Sequence, residues 1–308
     1  MPVLARICIH LSAINYLYNM KNYYWMGALF ATILFCQCNQ QQETVKPKAV
    51  TKNIVRKKPA ADLTYHYENG KAWIAAHETD AAFKRIVTTV NRADIRNIAA
   101  MDSIIVPSDS VADIAYYLPF PVSVVSIKPI EKIIFFSYAT QSFAAYENGE
   151  MVYTGATNMG RKKDPTPVGL FFTNWKAETT TSTFNDEWEL KWNFNIENKL
   201  GVGWHQYQMP GYPASHSCLR LMEEDAQYLY TWADQWRLNK KEEIISQGTP
   251  VIVFGTYPFD GVKPWAAIVT NAHALDIAEA TIDSVVAPYL QKIMAEQDRR
   301  NKAVENEL

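Results

Sequence analysis

Short runs of apolar residues, separated by polar turns, fill the chain from Glu131 to Gly255. Runs of about four to eight residues rich in β-branched and aromatic side chains are typical of strands. Asn148-Gly149 separates two such runs, and Asn-Gly between apolar segments is a strong hairpin signal. A β-meander is therefore expected, with strands over residues 132–137, 142–146, 151–155, 166–173 and 249–255 and further β-prone segments as far as Gln208.

Helical spacing marks three other segments. Residues 80–90 and 223–235 are each predicted to form a helix. Between residues 272 and about 297, apolar residues recur at helical intervals, so that one face can pack on the β domain; they are Leu275, Ile282, Val286, Leu290 and Ile293. The whole pattern predicts a mainly β fold, a β-sandwich or mixed sheet, with a few appended helices.

The first 38 residues have the pattern of an export signal or a membrane anchor. Basic Lys21 precedes an apolar run that ends at Phe35, and this run is closer to the about 7–15 residues of a signal peptide than to the about 20 that span a bilayer. Met20 is then a candidate for the true start. Cys36 and Cys38 precede a polar tail, which suggests lipid attachment there. An uncleaved single-pass anchor is the alternative.

The rest of the chain divides into four parts. Residues 39–61 are rich in Lys, Gln and Pro without apolar periodicity, which is typical of a flexible spacer. Residues 62–129 are expected to form a small α+β accessory region. Its part from Val90 to Pro107 resembles the latter half of a LysM-type sugar-binding module, and a plain local subdomain is the alternative. The main β domain is expected over residues 130–258, followed by a C-terminal extension with a helix over 259–308.

Composition narrows the function. Lys and Arg number 30 against 32 Asp and Glu, and 48% of the residues are hydrophobic, so neither nucleic-acid binding nor extensive disorder is indicated. Three of the four cysteines lie in the N-terminal segment, which leaves Cys218 in the folded part. A single thiol in an exported domain has no disulfide partner within its chain, which suggests that the thiol is kept for its reactivity.

Two histidines accompany this thiol, His205 and His216. An imidazole near a cysteine lowers the thiol pKa and later protonates a leaving amine. On an extended strand His216 and Cys218 would share one face, and a bend between them is equally compatible with the sequence. Two other roles are open: Cys218 as a small buried apolar residue, or all three as zinc ligands, although no second cysteine pair or His-rich helix completes a metal site.

The segment around Cys218 resembles the catalytic signature of the L,D-transpeptidase (YkuD-type) family. That signature is a His followed at a distance by Ser or Thr, His, Gly, Cys, an apolar residue and Arg or Asn. Here it is represented by His205 and by Ser215-His216-Ser217-Cys218-Leu219-Arg220. The resemblance covers about residues 130–254, because further matches occur at Tyr146–Gly149, Thr154-Gly155, Thr166–Phe171, Asp225–Tyr230 and Gly248–Val251.

The resemblance implies a role for each residue of the signature. Cys218 is the expected nucleophile, His205 the general base or acid, and His216 a supporting imidazole; which histidine is the base stays open. Backbone amides at Ser217 and Cys218 are candidate oxyanion donors. Arg220, with Ser215, is a candidate for binding a substrate carboxylate, and a structural ion pair is the alternative for Arg220.

The sequence departs from the family pattern in three places. Ser217 occupies the usual glycine position, Gln206 follows His205 where glycine is common, and the loop from His205 to Ser215 is short. A serine would be strained if that position requires a positive φ.

The implied activity is cysteine acyl transfer on peptidoglycan stem peptides in cell-wall biogenesis and cell shape, through a thioester on Cys218. An L,D-carboxypeptidase and a catalytically decayed wall-binding lipoprotein are the alternatives. A papain-like peptidase is disfavoured because both imidazoles precede the cysteine along the chain. No metal or organic cofactor is expected, and the protein is expected in the periplasm or cell envelope, held at a membrane by its N-terminus. The sequence does not indicate an oligomeric state.

Overall fold

A computed structural model describes residues 54–182 and 189–305 of this chain. Its strands are β1 Tyr65–Glu68, β2 Ile104–Pro107, β3 Lys132–Ser137, β4 Ser142–Glu147, β5 Glu150–Ala156, β6 Gly169–Phe172, β7 Lys176–Thr181, β8 Glu189–Glu197, β9 Val202–Gln206, β10 Leu219–Leu221, β11 Arg237–Leu238, β12 Ile244–Ser246 and β13 Pro250–Phe254. Its α-helices are α1 Gly70–Ala76, α2 Ala81–Asn91, α3 Ile95–Ala100, α4 Glu223–Trp232, α5 Glu279–Val286 and α6 Leu290–Glu305. Short 3-10 helices cover Ile114–Tyr117, Val125–Ile127 and Pro264–Val269.

Two mixed sheets form the centre of the fold. One has five strands in the order β5-β4-β3-β13-β6, in which β3 and β13 are parallel. The other has four strands in the order β10-β9-β8-β7, in which β9 and β10 are parallel. The predicted mainly β fold with appended helices is confirmed.

The five-stranded sheet is covered on both faces. Successive side chains of a strand point to opposite faces, so Ile134 and Phe136 of β3 belong to a core shared with Trp204 of the four-stranded sheet. Their neighbours Ile133 and Phe135 face the other way, where residues of α5 and α6 cover them. Burial on both faces explains why β3 is continuously apolar instead of alternating.

The N-terminal region pairs β1 with β2 in an antiparallel ladder, with α1 to α3 between them in the chain. The helix expected over residues 80–90 is observed as α2, where the Asp80 side chain accepts a hydrogen bond from the Phe83 amide as the N-cap. Arg92 ends this helix with a left-handed φ of 54°. Whether this region binds glycan stays a prediction.

The C-terminal extension differs from its expected form. The single helix predicted over residues 272–297 is two helices, α5 and α6, with Pro288 between them. Proline lacks the amide that would continue the helical hydrogen bonds, so the chain turns there. Ile282, Val286 and Ile293 are buried against the five-stranded sheet, as their spacing indicated. The short ladder of β11 and β12 was not predicted.

The predicted signal segment, Met20, Cys36, Cys38 and most of the predicted spacer lie outside the described residues. Within residues 54–182 and 189–305, no helix is long and apolar enough to cross a bilayer. At the described end of the spacer, Arg56 makes an ion pair of 2.8 Å with Asp113. Its second nitrogen donates to the Met151 carbonyl oxygen at 2.5 Å.

An ion pair joins the N-terminal region to the main β domain. Arg85 of α2 contacts the carboxylate of Asp225, which is fully buried in the first turn of α4, and also lies 2.6 Å from Glu224. The Tyr153 hydroxyl donates to Asp225 at 3.0 Å. Burial raises the pKa of Asp225 to about 6, although Arg85 and Tyr153 both favour the ionised form.

We expect Arg85→Met to lower the free energy of unfolding by about 3–5 kcal/mol at pH 7, because it leaves the Asp225 charge buried without its cationic partner. At pH 5 the loss should be smaller, since Asp225 can then take up a proton. Urea denaturation at both pH values measures the difference.

Lys162→Met is the matched control, because Lys162 and Asp260 form an ion pair in which both side chains are largely exposed. It should change the stability by less than about 1 kcal/mol. Equal losses for the two variants would contradict the buried-pair account.

Candidate active site

The parallel register of β9 and β10 brings the candidate residues together. Arg220 lies opposite His205, and Leu219 lies opposite Trp204. Trp204 and Leu219 are buried in the core between the sheets, so His205 and Arg220 point to the other face. Cys218, directly before β10, lines a narrow cavity on that face together with His205, Tyr207, Ser215, His216 and Arg220.

His205 is a buried, neutral imidazole. Its residue is 4% exposed, and burial lowers its pKa to about 4. Nδ1 lies 2.9 Å from the Gln206 carbonyl oxygen. A carbonyl can only accept, so Nδ1 carries the proton and Nε2 of the neutral ring is left as an acceptor. Gln206 accepts this hydrogen bond with its backbone carbonyl, and it lies in β9 with a φ that is not positive. A glutamine side chain is therefore compatible with this position, where glycine is common in the family.

The thiol of Cys218 is protonated at neutral pH. Burial raises its pKa, against the opposing effects of the Gly203 amide and the Arg220 charge. Its Sγ lies 3.8 Å from the Gly201 carbonyl oxygen. The expectation that a neighbouring imidazole lowers the thiol pKa is therefore wrong for this structure. The reason is that buried His205 carries no positive charge with which to stabilise a thiolate.

The chain bends between His216 and Cys218, and Ser217 has a φ of +83°. The sequence is compatible with an extended strand or with a bend between these two residues, and the structure has the bend. The strain expected at the usual glycine position is confirmed, because residues other than glycine rarely adopt such a φ. His216 is half-buried on this bend and lines the same cavity as His205.

Hydrogen bonds from the neighbouring loop hold the bend. Thr166 accepts from the Gly160 amide and donates to the Ser217 carbonyl oxygen, both at 2.8 Å. The Ser215 hydroxyl donates to the Cys218 carbonyl oxygen at 2.5 Å. The sequence predicts Thr166 as part of a turn, and nothing in its local pattern indicates that it contacts Ser217.

Arg220 contacts an aromatic ring. A structural ion pair was the alternative to its role in binding a substrate carboxylate. Its guanidinium carbon lies 4.5 Å from the centroid of Tyr207, and Nη1 donates to the Gln208 carbonyl oxygen at 3.3 Å. In the described part of the chain no carboxylate lies within ion-pair distance of Arg220. In the same residues, no group of three His, Cys, Asp or Glu side chains is arranged to hold a metal ion.

Comparisons with known proteins agree with the signature. Residues 131–253 match the family model of the L,D-transpeptidase catalytic domain (YkuD), which confirms the resemblance over that range. Solved structures that match include an L,D-transpeptidase of Stackebrandtia nassauensis, with 22% identity, a TM-score of 0.35 and coverage of 42% of this chain and 58% of that one.

Two mycobacterial L,D-transpeptidases also match. The Mycobacterium smegmatis structure has 20% identity, a TM-score of 0.33 and coverage of 41% of this chain and 59% of that one. The Mycobacterium tuberculosis H37Rv structure has 21% identity, a TM-score of 0.33 and coverage of 41% and 58%. The chain thus spans less than two thirds of the length of these relatives. No curated protein matches it.

Ser217→Gly should raise the free energy of unfolding by up to about 1 kcal/mol. A left-handed conformation costs a non-glycine residue about 1–2 kcal/mol, and the extra flexibility of glycine in the unfolded chain takes back about 0.5–1 kcal/mol. Chemical denaturation measures the change. In the control Ser110→Gly, where φ is not positive, only the unfavourable effect should remain. Destabilisation of both variants to the same extent would show that Ser217 is not strained.

Proposed function

From the match of residues 131–253 to the L,D-transpeptidase catalytic domain, we propose that this chain transfers acyl groups of peptidoglycan stem peptides through Cys218. The observation that carries the proposal is the face formed by β9 and β10. There the thiol lies in one cavity with His205, a neutral imidazole whose Nε2 is free to accept a proton.

The first half of the reaction forms a thioester. His205 Nε2 takes the thiol proton while Cys218 Sγ attacks the carbonyl carbon of the L-centre that precedes a terminal D-amino acid. The C–N bond breaks, and the imidazolium returns its proton to the leaving amine. A thiol with a raised pKa needs such a base at the moment of attack, because few thiolates exist beforehand at neutral pH.

The second half transfers the acyl group. The side-chain amine of a diamino acid on another stem peptide attacks the thioester and loses a proton to His205. The C–S bond breaks, and the imidazolium returns that proton to the sulfur, which leaves as the thiol of Cys218. The product is a cross-link. Water in place of the amine would give an L,D-carboxypeptidase, which is the second candidate activity of the same site.

Charge that develops on the scissile carbonyl oxygen needs donors. We assign this role to the backbone amides of Ser217 and Cys218, on the bend held by Thr166 and Ser215. Arg220 is assigned to a substrate carboxylate, with its guanidinium held in place by the ring of Tyr207. His216, on the same bend, is assigned as a second imidazole that supports His205.

The alternative of a decayed, wall-binding protein depended on Ser217. The positive φ at Ser217 argues against it, because serine there keeps the backbone conformation for which glycine is favoured. We also propose that the protein acts in the periplasm or cell envelope, exported and held at a membrane by its N-terminal segment.

A carbapenem should acylate Cys218, because a β-lactam carbonyl is open to the same thiol attack as the substrate. Intact mass measurement should find one adduct on the wild type and none on Cys218→Ala. An adduct of equal yield on Cys218→Ala, or no adduct on a folded wild type, would rule out the proposed nucleophile.

The acylation rate should be nearly independent of pH between about 6 and 8. His205 has a pKa lowered to about 4, so it is already a neutral base throughout this range. In His205→Ala the rate should fall by about 10²–10⁴-fold at pH 7 and then rise by about tenfold per pH unit, since only the thiolate of Cys218 then reacts.

His66→Ala is the matched control, because His66 is exposed on β1 and, among the described residues, has an ion pair with Glu68 alone. Its acylation rate and pH profile should equal those of the wild type. An unchanged rate in His205→Ala, with a loss in His216→Ala, would transfer the base role to His216.

A further inference from the structure

An open groove adjoins the catalytic cavity on the side of the N-terminal region. Its volume is about 630 Å³, whereas the volume of the catalytic cavity is about 30 Å³. Tyr207 lines both of them; it directly follows β9, and its ring contacts the His205 ring edge-to-face at a centroid distance of 5.8 Å. The proposed transfer brings two peptides to one thioester, and most of each peptide must lie outside so small a cavity.

The two walls of the groove belong to different parts of the chain. One wall is formed by α2 and by the start of α3, and the other by residues 206–208 and the start of α4. Both α2 and α3 precede residues 131–253, the range that matches the L,D-transpeptidase catalytic domain. The groove is therefore a feature that the N-terminal region of this chain adds to the matched domain.

Hydrogen bonds and an ion pair hold the two walls together. The Asp94 amide donates to the Met209 carbonyl oxygen at 2.9 Å, and the Asp94 carboxylate accepts from the Met209 amide at 2.7 Å. Arg85 on one wall lies 2.6 Å from Glu224 on the other. The N-terminal region thus fixes the loop that follows His205, and the groove is pre-formed, as is usual for binding sites.

Charged side chains of both signs line the groove: Lys84, Arg85, Arg96, Asp94, Glu223 and Glu224. Arg85 and Glu224 pair with each other. Asp94 accepts hydrogen bonds from two backbone amides, and Lys84 donates to a backbone carbonyl oxygen. Arg96 and Glu223 are exposed, and no ion pair or side-chain hydrogen bond joins either of them to another described residue. The groove therefore presents a cation and an anion to a ligand.

We propose that this groove binds the acceptor, the second stem peptide whose amine attacks the thioester on Cys218; the inference rests on the proposed function. A stem that ends in a diamino acid carries carboxylate and ammonium groups. Arg96 pairs with a carboxylate of the acceptor, and Glu223 attracts its ammonium group as it enters. The donor is not the occupant, because its carboxylate is assigned to Arg220, which lines the catalytic cavity. The acceptor passes Tyr207 to reach the thioester.

Binding of the acceptor can be measured without catalysis in the Cys218→Ala protein. The probes are N-acetylated tripeptide stems that end in lysine or in diaminopimelate, which carry the amine but lack the terminal D-amino acid of a donor. Isothermal titration should show saturable binding of at least one of them. Adding Arg96→Glu should weaken this binding by at least about tenfold, because a repulsive charge replaces an attractive one.

Lys71→Glu is the matched control, because it makes the same change of charge at an exposed position of α1 that does not line the groove. Added to Cys218→Ala, it should leave the affinity for the tripeptide unchanged. Both substitutions are made at exposed positions, so the folded state should tolerate them equally.

The transfer reaction, with Cys218 intact, supplies a second readout. With a tetrapeptide donor and a labelled tripeptide acceptor below saturation, Arg96→Glu should lower the ratio of cross-linked dimer to hydrolysed donor by at least about tenfold, because water then competes better for the thioester. Failure to form any thioester would contradict the proposed function, whereas binding to Cys218→Ala tests the groove separately. The inference is overturned if neither tripeptide binds, if Arg96→Glu and Lys71→Glu bind equally, or if the ratio of products is unchanged.

Discussion

The parallel pairing of β10 with β9 is the contact on which the candidate site depends. Leu219 and Trp204 are neighbours in this pairing and are both buried between the sheets. Their burial determines the inward face of each strand. His205 and Arg220 must then share the outward face, and Cys218 joins them at the end of β10. A slip of one residue would exchange the two faces of β10 and remove Arg220 from the site. The large apolar side chains of the core therefore position the polar residues of the site.

Burial also sets the charge states of His205 and Cys218. It keeps His205 neutral and raises the pKa of Cys218, so both groups are uncharged at neutral pH. A neutral thiol and a neutral imidazole with a fixed tautomer form a general-base arrangement, in contrast to a preformed thiolate–imidazolium pair. The hydrogen bond from Nδ1 to the Gln206 carbonyl oxygen is what leaves Nε2 available.

Sequence patterns predicted the local elements well. The strands of the meander, the helix that begins after Asp80 and the face of Ile282 and Ile293 follow from periodicity and turn residues, because these signals are local. The apolar spacing continues through Pro288, so it predicts one helix where the missing amide of the proline divides the segment into α5 and α6. The cysteine, both histidines and Arg220 came from a motif, and the structure brings all of them to one cavity.

What the sequence did not predict depends on contacts between distant segments. Thr166 holds the bend at Ser217 across about fifty positions, and Arg85 pairs with Asp225 across 140. The predicted direction of the Cys218 pKa shift was also wrong, because burial of the thiol itself raises its pKa. Burial and long-range hydrogen bonds arise from packing and have no local signature.

The most direct test of the central claim is incubation of the purified protein with a defined tetrapeptide stem, followed by mass spectrometry of protein and products. The account predicts release of the terminal D-amino acid, a tripeptide thioester on Cys218 and cross-linked dimers formed with the diamino acid of a second stem. An intact tetrapeptide after incubation with folded protein, or the same products from Cys218→Ala, would contradict it.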